Sequence, residues 1–430
     1  MIIHVIEPDE TIESIAAKYN MSIQRLLQDN GLEYQEDLVV GQSIVVAQPS
    51  LTYTVKDGDS LDEIASSHNV TPMELLRNNP WLFDREHIFP GDVLVISYDR
   101  TRTITTHGNT LPYVNIDILE KTLPYLTYLS IMNYTATVGG EIITYIDDSQ
   151  IVDLAKAYNV MPLMLLTTLS SRGEADIRAE YELLLDEDIQ DKQIENVINI
   201  LKAKGYYGVN ISFQYIEYSN IPLYEKFYTK FANRLNEEGF FAFATINPSI
   251  SFANSDINFA RIDYTKVNQL AQGVIVFRNE TAMFTEPPSP ISSIRVIETY
   301  LAYLLNYISP DKIVVGAITH GLDWELPFYA GISSVNLVSY ERAIHLARSH
   351  EVIIYFDEVS KNPYFRYTLS SNGKQIEHIV WFVDARTING LLEIVNEHDL
   401  GGTAIWNIMN YNPQFWLMIN SQYEIEKIQI

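Results

Sequence analysis

The chain has 430 residues, 47% of them hydrophobic, enough for one large core and smaller modules beside it. A net charge of −26 disfavours nucleic acid and anionic membrane as partners, and any anionic cell-wall polymer would have to be met through uncharged contacts. The absence of cysteine excludes disulfides, thiolate catalysis and Cys-based zinc sites, and the nine histidines form no H-E-x-x-H pairing, so neither a metal nor a cofactor is expected.

Met1 leads into IHVIEP, which reads as a strand. No basic segment with an apolar stretch precedes it, and no run of about 18 apolar residues occurs elsewhere, so neither a Sec signal nor a membrane span is expected. The 28 Tyr and 17 Phe suit sugar recognition, since the C–H face of a pyranose packs on a ring, although core packing accounts for most of them.

The first hundred residues contain an internal repeat, and the module boundaries read as 1–48 and 50–97. Each copy opens on a short alternating strand and a turn. An amphipathic helix follows, with Ile12, Ile15 and Ala16, or Leu61, Ile64 and Ala65, on one face. Ser60 and Glu63 have the spacing of a capping box. A second helix starts near Ser22 or Thr71 and stops at Asn30-Gly31 or Asn79-Pro80, and a last strand follows Gly41-Gln42 or Gly91-Asp92. Each copy has its own short apolar core, and residues 1–97 together are expected to fold alone.

This β-α-α-β pattern resembles LysM modules, on the G-D-S-L turn, the Asn ending the second helix and the G-x-x-V/L-x-V/I strand. The resemblance implies binding of N-acetylglucosamine-containing glycans, peptidoglycan or chitin, in a groove between the first turn and the loop after helix two. By position, that groove uses Asp9, Glu10, Thr11, Asn30 and Gly31 in the first copy, and Gly58, Asp59, Ser60, Asn79 and Pro80 in the second. All of these residues also serve as caps and turns. Tandem copies suit avidity, which favours a binding role.

A polar stretch, residues 98–109, reads as a linker to a domain over 110–430. Apolar runs at 126–136, 160–169, 208–216, 240–248, 273–279, 312–319, 351–358 and 401–408 alternate with amphipathic helices, and eight such units fit an α/β fold, a (β/α)₈ TIM barrel. A hairpin turning at Ser371-Asn372-Gly373 falls between strands seven and eight, as a small α+β insertion.

Residues 206–215, YYGVNISFQY, resemble the third barrel strand of family 18 glycoside hydrolases, with its signature D-x-x-D-x-D-x-E. In register, the signature falls on Tyr207, Asn210, Ser212 and Gln214. Two LysM-like copies before such a barrel, with GLDWELPF, VWFVDART and GGTAIWNI, resemble the spore-cortex and spore-coat N-acetylglucosaminidases of endospore-forming bacteria. That resemblance places Trp406 as the floor under the sugar, with Asp323, Trp324, Trp381 and Asp384 lining the same cleft and Asn210 and Gln214 as further glycan-binding positions. Its partner is peptidoglycan or another N-acetylglucosamine glycan, with spore-coat proteins as a second partner class, and its location the coat–cortex boundary of the spore or the cell envelope.

The catalytic positions depart from the family. Its chemistry is substrate-assisted: the N-acetyl oxygen attacks the anomeric carbon while a Glu protonates the leaving oxygen. Gln214 stands at the acid position and cannot deliver a proton, Ser212 stands where an Asp orients the acetamido group, and Asn279 stands at the Tyr position. Glu217 and Glu280 are the candidate substitute acids, with Asp357 and Glu358 behind them, each more simply read as a solvated loop acid among 55 acidic residues. The expectation is a glycan-binding protein with a degenerate barrel. The alternatives are a diverged N-acetylglucosaminidase with a relocated acid, and a docking scaffold for coat assembly.

Overall fold

The computed structural model describes residues 1–428 apart from 33–37, 86, 171–175, 213–219, 249, 254–255, 278–282 and 372. Each repeat pairs its first and last strands antiparallel, Ile2–Val5 with Ser43–Val46 and Leu51–Thr54 with Val93–Ser97. Two short helices cover each sheet, Ile12–Tyr19 and Ile23–Asn30, then Leu61–Ser67 and Pro72–Asn78. Ile12, Ile15, Ala16 and Leu26 close the first core, and Ile64, Ala65, Leu75 and Leu82 the second. Ser22 and Thr71 cap the second helices as their sequence positions predict. Ser60 accepts from the Glu63 N–H, but reciprocal capping boxes form at Thr11–Ser14 and Thr71–Glu74 instead.

The larger unit is a closed barrel of eight parallel strands: Arg102–Thr110, Tyr128–Ala136, Met161–Thr167, Gly208–Ser212, Phe241–Ile246, Gly273–Val276, Ile313–Ile318 and Gly402–Trp406. The last pairs with the first from Gly402 opposite Thr105 to Trp406 opposite Asn109, which closes the ring. Long helices such as Glu187–Lys204, ended by Gly205 at φ +73°, and Ile221–Glu237 pack outside.

Two expectations need correction. The stretch 98–109 is not a linker, because Arg102–Thr110 is the first barrel strand. Its polar sequence reflects an inner face of polar side chains such as His107 rather than exposure. Conversely, 351–358 is outside the barrel, and only Tyr355–Asp357 pairs, at the edge of the insertion sheet. The strand carrying Asn210 and Ser212 is therefore the fourth, not the third.

The insertion lies between the seventh and eighth barrel strands. Its five-stranded antiparallel sheet runs in the order Val335–Val338, Gly321–Leu326, Lys374–Trp381, Asn362–Ser371, Tyr355–Asp357, with the predicted hairpin setting Ser371 opposite Lys374. Helix Tyr340–Ser349 packs on the face bearing Phe365, Tyr367 and Val380. The opposite face, with Leu322, Trp324 and Ile379, joins the main core.

The repeats are not separate from the barrel. Val45, Ala47 and Val95 share its core. Arg77, 2% exposed, pairs with Glu424 at 2.7 Å, and the Tyr125 hydroxyl donates to the Arg77 carbonyl at 2.6 Å. An independent cluster exists in each copy, but one sheet face of each module is completed only by the barrel.

Candidate functional site

Function in a (β/α)₈ barrel sits at the C-terminal ends of the strands. On the fourth strand Val209 and Ile211 turn outward into the apolar core, and the period of two aims Asn210 and Ser212 inward. Asn210 is fully buried; its Nδ2 donates to Ser130 Oγ at 3.2 Å, and its Oδ1 accepts from Thr245 Oγ1 at 2.8 Å. Ser130 Oγ lies 2.7 Å from His107 Nε2. His107 sits against Tyr128 and Phe243, and burial pushes its pKa down to about 3, so the ring is neutral at ordinary pH. The polar chain His107–Ser130–Asn210–Thr245 is thus uncharged along its whole length. Ser212, 5% exposed and opposite Thr167, stands above it towards the mouth. Tyr207 precedes the strand, at its far end from the mouth.

The eighth strand ends in a different surface. Trp406 is half-buried over Ile275, Phe277, Val314 and Ala404, with the Phe277 ring edge-on at 6.5 Å. The Trp406–Asn407 peptide is cis. This is an apolar platform at the barrel mouth.

The remaining cleft candidates divide. Trp381 is half-buried and stacks on Tyr364 at 4.5 Å, which in turn neighbours the exposed Tyr355 at 5.8 Å, an aromatic row that sequence reasoning did not assemble because its members come from three strands. Trp324 is fully buried in the core. Asp323 is buried on the helix side of the insertion, accepting from Tyr367 Oη at 2.6 Å and lying 3.0 Å from His378 Nδ1. Asp384 caps helix Ala385–Glu397 and pairs with Arg386 at 2.7 Å, and Arg386 reaches on to the Gly41 carbonyl of the first repeat. These last three side chains hold the scaffold rather than lining an open cleft. Gln214, Glu217, Asn279 and Glu280 lie outside the described residues. Asp357 accepts from the Ser360 N–H at 2.8 Å and Glu358 pairs with Lys361, both at the edge of the insertion.

In the repeats, Asn30 and Asn79 do the same structural job. Each donates Nδ2 to a carbonyl of its own helix (Leu26 or Leu75) and to one of the last strand (Val45 or Val95), and accepts from the Val45 or Val95 N–H. Both are buried, so they staple helix to sheet and are not free groove ligands. The first turns are open. Asp9, Thr11, Gly58 and Ser60 are exposed, while Glu10 accepts from the Glu7 N–H and His4 and is held below the usual carboxylate range by the backbone bond first and His4 second. Asp59 is held low in the same way by the Lys56 N–H and then the Tyr53 hydroxyl. Gly31 is exposed at φ +64° and Pro80 half-buried at the start of a 3₁₀ turn. Among the described residues no cluster of His, Asp and Glu could hold a metal ion, and no helix is long and apolar enough to cross a membrane.

Known proteins share this arrangement. The LysM domain model matches residues 4–47 and 53–97, and the model for glycosyl hydrolases family 18 matches 150–410. The chain is 28% identical over 424 residues to the cortical fragment-lytic enzyme of Bacillus anthracis, covering 97% of each, and 24% identical over 423 residues to the putative sporulation-specific glycosylase YdhD of Bacillus subtilis, covering 97% of this chain and 98% of that one. The crystal structure of the Bacillus cereus spore cortex-lytic enzyme SleL superposes with a TM-score of 0.79 at 27% identity, over 99% of both chains. With its family model spanning more than half of the sequence, two LysM domains before it and a barrel of the matching fold, this chain belongs to glycosyl hydrolases family 18.

Proposed function

We propose that the protein binds N-acetylglucosamine-containing peptidoglycan at the spore or cell envelope, through its LysM domains and a barrel that holds the glycan without the family's hydrolysis. The observation that carries this reading is the uncharged chain His107–Ser130–Asn210–Thr245 beneath Ser212, on the strand where the family signature supplies carboxylates. A serine hydroxyl supplies no fixed negative charge to a cationic oxazolinium, and Gln214, two residues on, has no proton to give a leaving group. Loss of a general acid alone costs on the order of 10²–10⁴ in rate. Trp406 meanwhile keeps an apolar face at the mouth, which is what stacking on a sugar ring requires.

The second reading is hydrolysis of cortex fragments, favoured by the names of the relatives, two of which are lytic enzymes of the spore cortex. It requires a proton donor other than Gln214, and Glu217 and Glu280 are the candidates by sequence position. Spore-coat proteins are proposed as further partners on the same relationship.

One experiment separates the two readings: incubation with muropeptides and chitooligosaccharides, with binding and cleavage read on the same sample. Binding without cleavage supports the first. Robust cleavage, abolished by Glu217→Gln or Glu280→Gln, establishes the second.

A further inference from the structure

Between the first repeat, the insertion and the loop after the eighth strand lies a cavity of about 480 Å³, within the roughly 300–1,000 Å³ span of small-ligand sites. Three separate parts of the chain build it. Gly31 and Leu32 form one wall, the segment from Leu337 into the insertion helix another, and Asn407 to Pro413 the floor. That floor begins one residue after Trp406. Thr319, which follows the seventh strand and donates its N–H to the Trp406 carbonyl at 3.0 Å, also lines the cavity, so it adjoins the barrel mouth.

The walls are set in advance. Gln414 Nε2 donates to Asn30 Oδ1 at 3.0 Å and to the Ser43 carbonyl at 2.9 Å, and the Ile354 N–H donates to the Val40 carbonyl at 3.0 Å. Gly31 approaches Pro413 so closely that a Cβ there would come within 2.8 Å of the proline ring. A first repeat clamped in this way leaves little ordering cost for a ligand. The lining suits a neutral, amphipathic guest: side-chain amides from Asn407, Asn410 and Asn412 alternate with Leu337, Met409 and Tyr411. Amides pair with hydroxyl and N-acetyl groups, and the apolar surfaces accept the C–H face of a pyranose. Of the charged side chains, Glu341 and Arg348 are exposed and opposite in sign, so the cavity does not select a strongly charged ligand.

We propose that this cavity is a distal subsite for N-acetylated oligosaccharide, built jointly by the first repeat, the insertion and the barrel, so that one glycan strand runs from Trp406 to the first repeat. The inference rests on the reading of the barrel as a glycan site. It makes the first repeat part of the barrel's binding path rather than a tethered anchor, and the second contact of a long strand becomes intramolecular.

The test uses the full chain, with chitobiose and chitohexaose titrated by calorimetry. Leu337→Arg and Asn410→Arg place a long side chain into the cavity from exposed positions, so the fold is kept, and a melting curve verifies this. The expected result is a loss of roughly tenfold in chitohexaose affinity, about 1.4 kcal/mol, with chitobiose affinity unchanged. Unchanged chitohexaose affinity in both folded variants overturns the distal subsite. If Trp406→Ala still weakens both ligands, the barrel reading survives that result. An equal loss for both ligands in the cavity variants also overturns it, by making the cavity the primary site. No binding of either ligand to the wild type overturns the barrel reading and this inference together.

Discussion

The fourth and eighth strands end at the same barrel mouth, and they have gone different ways. The eighth ends in Trp406 over an apolar bed, a surface whose use depends on area and shape. The fourth carries Asn210, tied into a buried polar chain, and Ser212, a neutral group above it towards the mouth. Holding a sugar and breaking its glycosidic bond call on different physics. The first needs an apolar face and a few hydrogen bonds; the second needs a proton donor and a charge placed where charge develops. On the proposed reading this barrel keeps the first without the second, and the Asn210 amide satisfies its buried position through Ser130 and Thr245.

The largest expected effect comes from restoring the fourth strand. The double variant Ser212→Asp with Gln214→Glu should raise hydrolysis of N-acetylglucosamine oligomers by on the order of 10² or more over wild type, and by more than the product of the two single changes, because donor and orienting group act as a unit. Multiplicative single effects, measured as kcat/KM, would break the contrast between the strands.

A second change tests whether the neutral chain beneath is fitted to neutrality. Asn210→Asp puts a carboxylate at a fully buried site whose described partners, Ser130 and Thr245, are uncharged. It should lower stability at neutral pH by roughly 2–3 kcal/mol, with the deficit shrinking in acid as the carboxyl takes up a proton. A pH-independent deficit, or none, in denaturant unfolding would show that the site tolerates charge.

On the other side of the mouth, Trp406→Ala should cost on the order of 1–2 kcal/mol of oligosaccharide affinity, close to tenfold, through lost apolar contact. A folded variant with wild-type affinity would remove the platform from the argument.

Much of this was legible in the sequence, and the misses share a cause. Repeats, caps and the long outer helices follow from period and turn chemistry. The first barrel strand, RTITTHGNT, was hidden because its inner face is polar, so apolar runs could not reveal it. EVIIYFDE looked like a barrel strand for the opposite reason: Ile354 is buried under the insertion helix with Val39, a satellite core that a linear scan cannot tell from the main one. Asp323 stands between Leu322 and Trp324 in sequence, yet the pleat sends it to the opposite face of the sheet from its neighbours. Asn30 and Asn79 mark helix ends plainly, but which strand their amides would staple is a tertiary fact.

The smallest expected effect reads the neutral chain through pH. The folded state holds His107 neutral down to about pH 3, whereas the unfolded chain protonates it near 6.5. Above that value both states are neutral and the ring makes no pH-dependent contribution. As the pH falls below 6.5, the unfolded chain takes up a proton that the folded chain refuses, so stability declines through the window from 6.5 towards 3. The slope should be on the order of 1 kcal/mol per pH unit, and most of its first unit lies above the range where ordinary carboxylates titrate. His107→Gln keeps a polar group beside Ser130 and removes the titration. Its melting temperature should therefore fall less steeply than that of the wild type between pH 6.5 and about 5.5. Parallel profiles would mean that His107 accepts its proton in the folded barrel as readily as in the unfolded chain, so that the polar chain beneath Ser212 takes up charge within this window.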